Sequence, residues 1–201
     1  MSDGELLNET PSQTAGPYVH IGCVPNTCGV NGVFAEDLGE KMYREGAEGH
    51  PITIRGCIWD SNGAPITDSM IEFWQADANG LYPGNDPRGQ ADPDFSGFGR
   101  VVSESDSGEW AVQTIKPGNV PFPDGRRQAP HITVWIVARG INTGLHTRIY
   151  FSDEDNSADP VLTKIQDPSR VSTLIATIEN DGTYRFDIRI QGDQETVFFD
   201  V

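Results

Sequence analysis

Basic residues are scarce in this chain of 201 residues: 14 Lys and Arg stand against 30 Asp and Glu, a formal net charge of -16. A surface so acidic repels phosphate backbones and anionic headgroups, which argues against nucleic acid and membrane as partners. It also works against a small anionic substrate, which would have to be drawn in by basic residues placed locally. No apolar run approaches the roughly 18 to 20 residues of a transmembrane helix. The start, Met1-Ser2-Asp3-Gly4-Glu5, lacks the basic and apolar regions of a secretory signal. A cytoplasmic protein is expected. Cysteine is sparse too. Cys23, Cys28 and Cys57 cannot all pair within the chain, and Cys23-x4-Cys28 without Cys or His partners nearby is a poor zinc site, so free thiols are expected.

Gly (22) and Pro (14) are by contrast plentiful and spread along the whole chain, which favours short strands and tight turns over long helices. Period-two alternation begins at 52–59, where Ile52, Ile54 and Ile58 share a face. Further strands are expected at 70–76, 98–104, 109–115, 131–139, 145–152, 183–190 and 195–200. Two short helices are expected, one over 34–46 and one over 169–177, the latter with Asp167 as N-cap and Pro168 just inside. Seven or eight short strands in one domain predict an all-β fold, a two-sheet antiparallel β-sandwich with a few short helices and long loops. The stretch 77–97 is a loop of the length that usually has a function. Residues 1–18 are polar, with two prolines, and read as an N-terminal arm ahead of a sandwich domain at 19–201.

Histidine is rare, with four in the chain. His20, His50 and His146 are isolated, but Pro130-His131-Ile132-Thr133 begins a strand and lacks only a second histidine at 133 to be His-x-His, a common way for one strand to hold a metal. Taken alone, His131 reads as a packing or hydrogen-bonding residue. Tyr82 reads as a packed loop tyrosine, and Arg139 as a solvated arginine at a strand end. No Ser lies in a Gly-x-Ser-x-Gly elbow, so nucleophilic acyl transfer has no anchor.

Ile54-x-Gly56-x-Ile58, Gly63, Ile66, Ile71-Glu72-Phe73, Gly80 and Tyr82 fall in a register that resembles the signature of intradiol ring-cleavage dioxygenases. The likeness continues through Thr10 to Tyr18, Ala138-Arg139-Gly140, Leu145 to Phe151 and Tyr184 to Gly192. In that family a ferric ion binds a catechol through both oxygens, and the ring opens between the two hydroxyl-bearing carbons. Fe(III) is a hard cation suited to phenolate and imidazole. Catalytic members supply two tyrosines and two histidines, the latter in an Arg-Pro-x-His-x-His segment. Here Tyr82 matches the first tyrosine and His131 the first histidine. Val120 replaces the second tyrosine, Thr133 the second histidine and Gln128 the arginine. Neither Cys57 nor His146 has a spacing that argues for compensation.

The resemblance is therefore to the alpha kind of chain in members built from two homologous chains. It implies no metal in this chain, Fe(III) on a partner beta subunit, and cleavage of 3,4-dihydroxybenzoate with O2 to 3-carboxy-cis,cis-muconate at the alpha/beta interface. It further implies that Arg139, Thr14, Gly16, Pro17 and Tyr18 wall the pocket, with Arg139 near the substrate carboxylate. Tyr82, Val120, His131 and Thr133 remain as vestigial positions. Two alternatives stay open on sequence: a self-sufficient metalloenzyme with an atypical ligand set, and a non-enzymatic sandwich binding module.

Overall fold

A computed structural model describes residues 14–200. Residues 1–13, most of the expected arm, lie outside it. The described chain opens with a short helix, α1 (Pro17–Cys23), which the sequence reading did not anticipate. Pro17 starts it, since a fixed φ and missing N–H cost nothing in a first turn. The strands follow as β1 (Pro51–Trp59), β2 (Met70–Trp74), β3 (Phe98–Val102), β4 (Glu109–Ile115), β5 (Val120–Pro121), β6 (Arg127–Gln128), β7 (His131–Val137) and β8 (Leu145–Phe151). Two 3-10 helices, Leu162–Lys164 and Pro168–Leu174, precede β9 (Ile175–Ile178), β10 (Tyr184–Arg185) and β11 (Ile188–Arg189).

The expected pair of antiparallel sheets is corrected in one respect. Nine strands form a single mixed sheet in the order β11-β1-β10-β9-β8-β7-β2-β3, with β4 also paired to β1. β1 runs parallel to β10 and β11, and β8 runs parallel to β9. The sandwich character comes from this sheet closing over one core. Ile54, Ile58, Trp110 and Val112 from β1 and β4 pack with Ile71, Phe73, Ile132, Val134, Ile149 and Phe151 from β2, β7 and β8. The Phe73 and Trp110 rings meet at 5.6 Å. Each such buried side chain contributes roughly 1.5 to 3 kcal/mol. Strands 183–190 and 195–200 also differ from expectation. The first breaks at Phe186 and Asp187, where the Asp187 carboxylate accepts the Cys57 N–H at 2.9 Å in place of a backbone carbonyl. The second forms no regular ladder, although Phe199 N–H donates to His146 O at 2.8 Å.

The helix expected at 34–46 does not form. Gly39 (φ 87°) and Gly46 (φ 105°) sit in the left-handed region, which ends a helix rather than continuing it. The helix expected at 169–177 is the 3-10 turn Pro168–Leu174, capped as anticipated by Asp167, whose Oδ1 accepts the Ser169 N–H at 3.0 Å. A second, smaller cluster of Ala129, Tyr150, Leu162, Leu174 and Val197 forms beneath these helices and gives the start of β7 its dry surroundings.

Candidate functional site

Alternation along β7 puts His131, Thr133 and Trp135 on one face, and the ladder sets them opposite Tyr150, Arg148 and His146 of β8. His131 is 2% exposed, with Nδ1 2.8 Å from the Ala129 carbonyl oxygen. A carbonyl only accepts, so Nδ1 carries the proton and Nε2 keeps its lone pair. Burial, and after it the Arg148 charge, pushes the imidazole down to about 4, so it is neutral at pH 7. Its ring lies 5.6 Å from that of Tyr150.

Val120 is buried in the β5–β6 hairpin, opposite Gln128. That hairpin was missed in the sequence because each strand has only two residues. Tyr82 follows β2 on the long loop. Its ring stacks on Trp74 at 6.0 Å and 12°, and its N–H donates to Asp86 Oδ2 at 3.0 Å. Asp86 pairs with Arg88, whose Nη2 donates to Gly80 O at 2.6 Å, so the loop is tied down from both sides. Burial raises the Tyr82 phenol against the pull of Arg148 and Arg88. Trp74 in turn stands opposite Thr133 in the ladder. The four positions singled out from sequence, Tyr82, Val120, His131 and Thr133, are thus brought into one neighbourhood.

That neighbourhood does not fit a ferric ion. Tyr82 and His131 could each donate one lone pair, but the Val120 isopropyl group has none and the Thr133 hydroxyl is a weak neutral donor. Instead, the Arg148 guanidinium reaches in: its Nη1 donates to Gln128 Oε1 at 2.9 Å and to Tyr150 Oη at 3.3 Å. Among the described residues, no three His, Cys, Asp or Glu side chains are grouped so as to hold a metal. The three cysteines are free, in keeping with the sequence reading.

A second constellation lies past the other end of β7, roughly 20 Å away by strand rise. Arg139 is 79% exposed and its Nε is 3.2 Å from Asp68 Oδ2. Thr14 Oγ1 accepts the Gly140 N–H at 2.6 Å and donates to Ala138 O at 3.2 Å. A groove of about 380 Å3 is lined by Ala15, Gly16, Pro17, Asp68 and Arg139 among others. The structure therefore gathers Thr14, Gly16, Pro17 and Arg139, while Tyr18, 87% exposed, projects into solvent on α1. Asp68 was not picked out from sequence. An Asp among the polar residues of the β1–β2 connection carries no signal there that it will meet Arg139.

The dioxygenase family model matches residues 31–192. The alpha chain of protocatechuate 3,4-dioxygenase from Pseudomonas putida is 49% identical over 98% of both chains. The beta chain of the Burkholderia cepacia enzyme is 30% identical over 82% of this chain and 75% of its own. Among solved structures, an intradiol ring-cleavage dioxygenase from Tetranychus urticae superposes with a TM-score of 0.57 at 20% identity, over 91% of this chain and 94% of its own. No helix among the described residues is long and apolar enough to cross a membrane. A family model that matches residues 31–192, most of this chain, and a relative half identical from end to end show that the chain belongs to the intradiol dioxygenase family.

Proposed function

We propose that this chain is the alpha, non-iron-binding subunit of a protocatechuate 3,4-dioxygenase. It would act in the cytoplasm with a homologous beta subunit that carries Fe(III). The observation that carries this reading is the 49% identity to an alpha chain over 98% of both sequences. It is supported by a vestigial centre in which Val120 and Thr133 stand where donors are required and Arg148 reaches between them. On the partner, a ferric ion would bind both catechol oxygens and render the ring reactive toward O2, opening it between the two hydroxyl-bearing carbons to 3-carboxy-cis,cis-muconate.

This chain's own part is binding and positioning. Arg139, exposed beyond the end of β7 beside its ion-pair partner Asp68, supplies the local positive charge that an acidic protein needs to attract a benzoate. A charge-assisted hydrogen bond from its guanidinium to the substrate carboxylate is worth about 1.5 to 3 kcal/mol. Thr14 holds the arm against the backbone on either side of Arg139. Gly16 permits close approach of a partner, and Pro17 limits the freedom the arm loses on docking.

Co-expression with a beta homologue bearing the Arg-Pro-x-His-x-His segment tests this reading. The two chains should copurify and cleave 3,4-dihydroxybenzoate. Failure to copurify, or copurification without ring cleavage, would favour a binding module without an enzyme partner.

A further inference from the structure

The vestigial centre contains one side chain that lost ligands do not explain. Arg148 stands directly across the ladder from Thr133, with Tyr150 and His131 as the next pair on the same face. Its bond to Gln128 reaches the residue opposite Val120. Its bond to Tyr150 reaches the ring packed on His131. Trp74, on the other side of Thr133, carries Tyr82. The guanidinium thus faces Thr133 directly, is linked to Val120 through Gln128 and to His131 through Tyr150, and reaches Tyr82 by way of Thr133 and Trp74.

Its own partners are neutral. Among the described residues no carboxylate lies within ion-pair distance of it, unlike Arg100, which Glu72 pairs at 2.6 Å on the same face of the sheet. Asp159 is nearest through the network, accepting from Tyr150 Oη at 3.3 Å, and its oxygens already take the N–H groups of Ala129, Val161 and Leu162. A guanidinium stays charged at any working pH, so it cannot make room for a second cation by losing a proton.

We propose that Arg148 is the resident cation of this centre: its guanidinium takes the place of a metal ion among Tyr82, Val120, His131 and Thr133, and keeps metal out even when the missing ligands are restored. The idea goes beyond the subunit assignment, because it concerns what fills the centre of this chain rather than what its partner does. Two cations a few ångströms apart in a partly buried site repel strongly, and no carboxylate is free to screen them.

The test uses the full chain. A Val120→Tyr/Thr133→His variant should remain nearly free of iron when Fe(III) is supplied. Adding Arg148→Gln should raise iron per chain on the order of 10-fold or more and bring up a visible tyrosinate-to-iron absorption. Equal iron in the two variants would overturn the proposal. Because a tyrosine at buried position 120 could prevent folding, a second series avoids it. Zn(II) is titrated into Thr133→His alone, with Arg148→Gln and with Arg148→Lys. Binding should tighten about 10-fold with glutamine and stay weak with lysine, which keeps the charge. The same Kd for all three would show that Arg148 does not guard the centre.

Discussion

Gly140 donates its N–H to the Thr14 hydroxyl at 2.6 Å across 126 residues of sequence. The same hydroxyl donates to Ala138 O at 3.2 Å, so one side chain brackets the backbone on both sides of Arg139. Replacing it with an isosteric methyl removes both bonds at about 1 kcal/mol each. Thr14→Val should therefore make the Gly140 amide exchange with solvent roughly 5- to 30-fold faster, measured by hydrogen exchange on the isolated chain. Unchanged protection would mean that the arm does not hold this loop.

Arg139→Ala in the alpha/beta complex should lower kcat/KM for 3,4-dihydroxybenzoate about 10- to 100-fold, the value of one charge-assisted bond. Plain catechol, which has no carboxylate, should be cleaved with little change. An equal loss on both substrates would remove the carboxylate assignment and leave Arg139 shaping the pocket mouth.

Gly56 lies on β1 with the Phe186 carbonyl directly over its α-carbon, where any β-carbon would collide with it. Phe186 N–H donates to Arg55 O at 2.8 Å, so this contact joins β1 to the segment between β10 and β11. Relief requires moving backbone, not a flexible side chain. Gly56→Ala should destabilise the chain by roughly 3 kcal/mol or more, read from the midpoint of denaturant unfolding. A change under about 1 kcal/mol would mean that the two strands separate easily.

His131 gives the fold a pH dependence. Its folded-state value is pushed down to about 4, against about 6.5 in an unfolded chain. As pH falls through 6.5 the unfolded state takes the proton first, so stability present above 6.5 is progressively lost until the folded state also protonates near 4. The total is on the order of 3 kcal/mol. His131→Gln should flatten that part of the stability curve between pH 6.5 and 4, and an unaltered slope would show that the imidazole is accessible to protons in the folded state.

Much of the strand pattern was readable because alternation survives where one face is buried. β4 has the bounds expected of it, and β1, β2, β3, β7 and β8 fall within a few residues of theirs. Sheet topology was not readable. The parallel pairing of β1 with β10 and β11 depends on partners more than 120 residues away, and the Asp187 carboxylate that bridges the break has the look of an ordinary polar residue. Around Arg148, the departures from the family pattern at Val120 and Thr133 could be seen in the sequence, but the place of Arg148 between them could not. An arginine on an alternating strand reads as a solvated side chain until the ladder register places it opposite Thr133.

The most direct measurement of the central claim is iron per chain, alone and in the alpha/beta complex. Purified from iron-replete cells without a partner, this chain should be colourless and iron-free. Copurified with its beta homologue, it should give one ferric ion per alpha/beta pair and ring-cleavage activity. A red-brown chain holding stoichiometric iron on its own, with tyrosinate-to-iron absorption, would contradict the account.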